Sequence, residues 1–512
     1  MTTTAIGAIL APSTGKQQLT SHREGEMALK TAQQYLESLY SLHPTVYILG
    51  EKVANPYDHP LLRPMINGVA KTYDLEHDPE GATHLVDKNE RGEQVSRFVK
   101  FYQRPDDLLA KVRMLRFLSN RIGTCFMRCT GMDGMNAVGT QVYNCDQKYG
   151  TNYWERLLDF VSMLQDGDLT LFSGVTDVKG DRSLRPSQQK DPDLYLHVID
   201  RDNSGITVRG AKIHQTGSLC AHWGIVVPAR EMRQEDKDWA VSFAVPVDAE
   251  GVIHVYGRGT LEARALNGCD LGNAEYSKFA NIVIFDNVFV PWERVFLCGE
   301  YEYAGPMVRN FGNYHRQSHG GCKCGVGDVI IGAAATAADY NGISRASHIN
   351  NKLAEMLKTT EAIYGCSIAA AVEARPTPSG IWEVDPLLSN VSKLYEGKEL
   401  HEVLRMMIEI AGGGTTDLPS DRDFNNPDIG PMLTKYLKGA ADVPTEHRVR
   451  ILRLVEKLAF ESRDVVSNIH GAGSPETHRM TVLRSADLER KKKFAKDIAG
   501  IRTDPQENEP QG

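Results

Sequence analysis

The hydrophobic pattern changes period twice along the chain, and this constrains the fold more than any other feature. Residues 22–168 carry apolar side chains at helical spacing. In Glu26–Ser41 they fall at Met27, Ala28, Ala32, Tyr35, Leu36 and Leu39, the 3.6-residue rhythm of an amphipathic helix. Asp106–Ser119 and Trp154–Leu164 repeat it. Over 169–300 the pattern shortens to β-branched runs between Gly, Asp and Pro turns: Leu194–Ile199, Ile206–Val208, Gly224–Val227, Ala240–Val245 and Ile282–Ile284. From Gly325 the helical period returns in Ala346–Val372, Pro386–Ala411 and Glu446–Ser467, long segments that suit a bundle. The expectation is an α+β chain: an N-terminal helical domain (1–168), a central β-barrel or sandwich domain (169–300), a C-terminal helix bundle (301–502) and a flexible tail (503–512).

Charge and cysteine usage narrow the function. The 512 residues include 58 basic and 66 acidic side chains, a net charge of −8, which argues against nucleic acid as a partner. The run Arg490-Lys491-Lys492-Lys493 reads as the solvated face of a terminal helix. Met1–Ser21 has no charged n-region followed by an apolar h-region. The longest apolar stretch, Val329–Ala338, is about half the ~18 residues of a membrane span. A cytoplasmic protein with no membrane partner is expected. Nine cysteines are too few for a disulfide-built scaffold, and a reducing compartment leaves them as buried thiols, metal ligands or catalytic groups.

Some of those cysteines have ligand spacing. Cys125 and Cys129 stand four apart, which on a helix places both on one face. Far along the chain, His315, His319, Cys322 and Cys324 cluster around Gly320-Gly321, whose missing side chains let the backbone approach a bulky group. A Cys/His set of this kind points to zinc by default, with an iron–sulfur cluster as the alternative. Cys145, Cys220, Cys269, Cys298 and Cys366 lack partners at ligand spacing and read as core. Three polar or Gly-rich segments read as cofactor or substrate loops: Thr176–Ser183, Lys212–Ser218 and His470–Pro475. None matches a dinucleotide fingerprint or a P-loop.

Taken together, Cys125-x₃-Cys129, His315-x₆-Cys322, His214-Gln-Thr-Gly-Ser218 and His470-Gly-Ala-Gly-Ser-Pro475 resemble the 4-hydroxybutyryl-CoA dehydratases of the 4-hydroxyphenylacetate 3-monooxygenase superfamily. The resemblance runs from about residue 24 to 502 and includes Phe285–Pro291 and Gly325–Ala334. It implies an acyl-CoA dehydrogenase-like fold, a homotetramer, an acyl-CoA or related substrate, FAD and a [4Fe–4S] cluster. The implied cluster ligands are Cys125, Cys129, His315 and Cys322. The implied FAD contacts are Thr176, Lys179, Asp181, Arg182, Ser183, His214, Gln215, Thr216, Gly471, Ala472 and Gly473. His315, His319 and Lys323 are the implied catalytic groups. The implied reaction converts 4-hydroxybutyryl-CoA to crotonyl-CoA and isomerises vinylacetyl-CoA. Its C3 hydrogen is not acidic until one electron has passed from the C2 enolate to FAD, and iron acts as a Lewis acid on the leaving hydroxyl.

Three positions depart from that family. His319 stands where it has tyrosine, and Ala280 and Ser467 stand where it has glutamates. The expectation is a retained pair of cofactors with a shifted substrate or reaction, and His319 in a proton-transfer role. Two other readings remain: a flavin-dependent aromatic monooxygenase with incidental cysteines, and a cofactor-binding homologue without dehydratase activity.

Overall fold

The computed structural model describes residues 29–260 and 275–501. Met1–Ser21, Cys269 and the expected tail at 503–512 lie outside the described residues. The helices of the first third are α1 (Ala32–Tyr40), α2 (Arg63–Glu76), α3 (Pro79–Leu85), α4 (Pro105–Ile122), α5 (Arg128–Tyr149) and α6 (Tyr153–Asp166). The last third holds α7 (Ala304–Tyr340), α8 (Ser347–Val372), α9 (Pro386–Ala411), α10 (Asp421–Phe424), α11 (Gly430–Tyr436), α12 (Thr445–Phe460), α13 (Ser462–His470), α14 (Pro475–Ser485) and α15 (Leu488–Ile498). Local chemistry sets several ends. Pro105 opens α4 with Asp106 and Asp107 in its first turn, and Gly123 at φ 71° closes it. The Asp385 side chain accepts from the Leu388 amide to cap α9, with Pro386 at its first position.

The strands are β1 (Thr45–Ile48), β2 (Glu51–Lys52), β3 (Val86–Lys88), β4 (Gln94–Ser96), β5 (Leu171–Gly174), β6 (His197–Arg201), β7 (Gly205–Thr216), β8 (Trp223–Val226), β9 (Val241–Pro246), β10 (Val252–Tyr256), β11 (Ala280–Pro291), β12 (Val295–Cys298), β13 (Arg375–Pro376) and β14 (Trp382–Glu383). They form a six-stranded sheet in the order β2-β1-β10-β11-β7-β6 and a four-stranded sheet in the order β12-β9-β8-β5, besides the two-stranded β3-β4 and β13-β14. Inward residues of the two main sheets share one core, where Phe243 of β9 meets Phe285 of β11 edge-on at 5.9 Å.

Four expectations change. No barrel closes among the described residues. The β5 edge is instead covered by α5, whose Gly131 and Gly134 lie so close to Leu171 and Ser173 that a Cβ would fall 2.1 Å from the Leu171 carbonyl oxygen and 1.9 Å from Ser173 Oγ. The first third is not wholly helical, because β1 pairs in parallel with β10 and extends the six-stranded sheet. The segment 446–467 is two helices that break at Glu461, whose backbone is extended at φ −68°, ψ 103°. Helical structure resumes at Ala304 rather than Gly325, so the whole His315–Cys324 cluster sits inside the 37-residue α7.

That helix is long and apolar enough to cross a membrane. Here it is the central helix of the bundle, packed between α4, α8 and α9. Its glycines make the packing possible. A Cβ on Gly321 or Gly325 would lie 2.6 Å from the Val112 carbonyl oxygen or 2.4 Å from that of Arg116, both on α4. One on Gly320 would lie 1.7 Å from Ser367 Oγ on α8. The bulky objects that Gly320-Gly321 admit are therefore two neighbouring helices.

Candidate active site

Two buried polar corners flank the N-terminal half of α7. The first gathers the ligand-spaced residues. Cys125 and Cys129 do not share a helix. Gly123 ends α4, Cys125 lies in the connection, and Cys129 is the second residue of α5. Met127, at φ 63°, turns the chain so that its amide donates to Cys125 Sγ at 3.4 Å. A tight loop, not a helical turn, brings the two thiols to one place. Cys322, on α7, lies near enough to act electrostatically with both. Burial pushes the Cys129 thiol well up, and the neighbouring Cys125 and Cys322 add to the rise. Burial likewise pushes Cys322 up to about 12, with Lys323 opposing and Cys125 reinforcing the shift. His315 lies one helical turn before His319, their rings edge to face at 5.1 Å, and its Nδ1 is 2.9 Å from Asp133 Oδ2. Among the described residues no three His, Cys, Asp or Glu side chains converge closely enough to hold a single metal ion. The default zinc expectation is not supported by that spacing.

The second corner is built around His319. Its Nδ1 lies 3.1 Å from Glu396 Oε1 on α9, and Lys393 Nζ donates to the same oxygen at 3.1 Å and to the Asn468 carbonyl at 2.6 Å. Lys393 and Glu396 are fully buried. Burial drives His319 down to about 3, so the ring is neutral at ordinary pH. For Glu396 burial acts upward, but Lys393 and His319 more than reverse it and hold the carboxyl at about 2. An ionised Glu396 only accepts, so His319 Nδ1 carries the hydrogen and Nε2 keeps its lone pair. Gly471 packs against that ring edge: a Cβ there would lie 2.4 Å from His319 Cε1 and 2.9 Å from Nε2. Lys323 Nζ donates to Ser467 Oγ at 3.2 Å. Burial lowers the Lys323 ammonium pKa, but Asp464, Cys322 and Glu396 outweigh it and leave it raised. Asp464, one turn before Ser467 on α13, accepts from Thr124 Oγ1 at 2.9 Å and keeps Oδ1 buried without a hydrogen bond.

The three expected loops come together only in part. His214, at φ 62°, lies two residues before the end of β7. Burial lowers its pKa, and Lys179, His470 and Lys278 lower it further, so one charge-rich spot joins all three loops. Thr216 pairs directly with Ala280 across β7 and β11. The side chain of Gln215 is turned inward, with Nε2 donating to the Ile213 carbonyl at 2.6 Å. Asp177 is spent on a buried ion pair with Lys212 at 2.6 Å. Asp181 and Ser183 hydrogen-bond to each other on the exposed rim, Oγ to Oδ1 at 2.6 Å. Arg182 lies next to Lys179, whose pKa burial lowers, with Arg182 adding to the effect. The Ala472 carbonyl accepts from Arg316 Nε at 3.1 Å, and Gly473, at φ 110°, completes the turn beside the same guanidinium.

Sequence reading missed Asp133, Lys111, Lys393, Glu396 and Asp464. Three had a visible signal. Asp133 is four residues beyond Cys129, hence on the same face of α5. Lys393 and Glu396 interrupt the buried face of α9, which is polar from Ser389 to Glu396 and apolar from Leu400 to Ile410.

Comparison with known proteins places this geometry in a lineage. Residues 31–297 match the family described as 4-hydroxyphenylacetate 3-hydroxylase N terminal, and residues 304–500 match its C terminal counterpart. The chain is 45% identical to 4-hydroxybutyryl-CoA dehydratase/vinylacetyl-CoA-Delta-isomerase of Clostridium aminobutyricum, over 93% of this chain and all of that one. It superposes with TM-score 0.91 and 42% identity on an oxygen-tolerant archaeal 4-hydroxybutyryl-CoA dehydratase from N. maritimus, covering 93% of this chain and 96% of that one. The oxygenase component of 4-hydroxyphenylacetate 3-monooxygenase from Thermus thermophilus is 29% identical, over 83% of this chain and 87% of its own. A structure of such an oxygenase component complexed with FAD shares the fold at TM-score 0.79, covering 92% of this chain and 99% of that one. Acyl-CoA dehydrogenases align only distantly, so the fold assignment rests on the hydroxylase family and not on them.

Proposed function

Because the chain belongs to the 4-hydroxyphenylacetate 3-hydroxylase family and is most similar, among the relatives named above, to its 4-hydroxybutyryl-CoA dehydratase members, we propose that it is a dehydratase/isomerase of a hydroxyacyl-CoA. In this reading it uses FAD and a [4Fe–4S] cluster. One observation carries the cluster: thiols from three separate segments, the 123–127 loop, α5 and α7, lie close enough to act on one another electrostatically, and Asp133, which acts on the same Cys129, is hydrogen-bonded to His315. The donor set fits. Buried thiols pushed far up stay protonated in isolation and ionise only against a strong positive centre. A four-iron cluster also spaces its ligands more widely than one ion does. Cys125, Cys129, Cys322 and His315 are its ligands in this reading.

When bound, FAD supplies a one-electron acceptor and the cluster a Lewis-acidic iron. The chain's own residues do the rest. Lys179, His214, Lys278 and His470 form the charge-rich spot that receives the anionic part of the flavin nucleotide, with Thr176, Arg182, Thr216 and the Gly471–Gly473 turn at its edge. Neutral His319 takes a proton at Nε2, and Glu396 holds the ring for it. Lys323 keeps a positive charge beside the thiols. Helices α4, α8 and α9 exclude water from α7, which strengthens each of these interactions.

The replacements at Ala280, His319 and Ser467 favour a substrate that differs from 4-hydroxybutyryl-CoA, or a loss of dehydration with cofactors retained. Anaerobic purification followed by iron, sulfide and flavin analysis tests the reading. About four irons and one FAD per chain are expected. A folded, flavin-loaded protein free of iron would return the chain to the monooxygenase class. Turnover of 4-hydroxybutyryl-CoA and vinylacetyl-CoA then separates an active enzyme from a cofactor-binding homologue.

A further inference from the structure

Helix α5 turns two side chains toward α7 in successive turns: Cys129 and, four residues on, Asp133. Asp133 is fully buried, and four donors fill its carboxylate. Tyr102 Oη and Lys111 Nζ donate to Oδ1 at 2.9 and 3.3 Å. Ser318 Oγ and His315 Nδ1 reach Oδ2 at 2.8 and 2.9 Å. Lys111 also donates to the Tyr314 carbonyl at 3.1 Å, which ties α4 to the turn of α7 that carries His315. Tyr102, Lys111 and Ser318 all donate to Asp133, so its carboxylate is the acceptor toward His315 as well, which leaves the hydrogen on His315 Nδ1 and the lone pair on Nε2. Phe311 stacks on the ring at 5.4 Å and His319 abuts it at 5.1 Å, so the ring plane is set as well.

We propose that Asp133, backed by Lys111, Tyr102 and Ser318, is the positioning residue that fixes the tautomer and orientation of His315 and presents its Nε2 to iron held by Cys125, Cys129 and Cys322. The physical basis is general: a metal-bound imidazole is oriented by what its other nitrogen donates to. The proposal rests on the cluster reading above. It adds that one carboxylate on the Cys129 helix controls how firmly the histidine corner of the cluster is held.

The test compares the anaerobically purified holoenzyme with Asp133→Asn, measuring iron and sulfide per chain, the visible spectrum, and the chelator concentration that strips half the iron. An asparagine keeps the volume but cannot accept four hydrogen bonds. Asp133→Asn is expected to lose iron at about 10–100-fold lower chelator concentration, with FAD content unchanged. The double variant Asp133→Asn/Lys111→Met removes both charges of the buried pair. It is expected to stay iron-labile, whereas recovery of full chelator resistance would mean that Asp133 only balances Lys111 and would overturn the proposal. Should Asp133→Asn not fold, Tyr102→Phe/Ser318→Ala removes two supporting donors and keeps the carboxylate. It is expected to shift the chelator midpoint several-fold, and an unshifted midpoint counts against the proposal. Wild-type protein without iron sinks the cluster reading and this inference together. Iron-loaded wild type with an equally resistant Asp133→Asn sinks the inference alone.

Discussion

The two buried corners beside α7 are built from similar parts to opposite ends. In the Asp133 corner, every lone pair of the carboxylate is occupied, and Asp133 itself stands one helical turn from Cys129. In the Glu396 corner, one oxygen serves both His319 and Lys393 while the other, Oε2, is buried without a hydrogen bond. Asp464, close by, also has one such oxygen. A saturated network is rigid, whereas one with spare acceptors has capacity for a further donor. All three departures from the dehydratase pattern, Ala280, His319 and Ser467, lie outside the saturated corner. The difference teaches that the two corners are structurally separable, and under the proposed function the first is the cofactor frame that was kept and the second a proton-handling side rebuilt around an imidazole.

The strongest way to break that comparison is Cys322→Ser. Loss of one thiol ligand is expected to empty the cluster site and lower turnover by more than about 100-fold, above the loss typical of a supporting residue. FAD content should persist. Iron retained at the wild-type level would show that the thiols are not ligands. His319→Ala addresses the other corner. Turnover is expected to fall by about 10²–10⁴-fold, the range for a proton-transfer group, with iron and flavin both unchanged. If turnover holds with a full cofactor load, His319 has no such role.

Gly471→Ala sharpens the comparison by sterics. Its Cβ would lie 2.4 Å from His319 Cε1 and 2.5 Å from the Ser467 carbonyl oxygen. A cost of about 1–3 kcal/mol is expected from thermal unfolding, and pairing it with His319→Ala should relieve most of it. Equal melting of Gly471→Ala and wild type would show that the turn moves freely away from His319.

The smallest effect lies outside both corners. His222, bonded through Nδ1 to the Thr170 amide and through Nε2 to Ser38 Oγ, is driven down to about 3 by burial. The unfolded chain binds a proton here below about pH 6.5 while the folded chain does not. Stability is therefore lost as pH falls from about 6.5 toward 3. The loss should reach the order of 3 kcal/mol by pH 4, and His222→Asn should flatten it. Denaturant unfolding at pH 7, 5.5 and 4 measures the slope, and identical slopes would assign acid lability to other groups.

Much of the helix order was legible because each long helix carries a local period. Pro386–Ala411 begins and ends where its pattern and its capping aspartate say. The β region was legible as strands but not as sheets. Which neighbours β5 and β1 find depends on α5, about 40 residues from β5, and on β10, about 200 residues from β1. The candidate ligands were legible as types and spacings. The path that joins them was not, since a helical i, i+4 pair and a loop with a left-handed Met127 have the same spacing in sequence.

The sequence by itself determined the succession of helix, strand and helix, the cysteine and histidine inventory, and the three departures at Ala280, His319 and Ser467, because period and residue identity are local properties. Only the tertiary structure decided that Gly320 and Gly321 receive helices, that Asp133 holds His315, and that Glu396 and Lys393 stand behind His319. Those assignments come from burial, where an unpaired charge is too costly to survive and each buried polar group must find its partner across the fold.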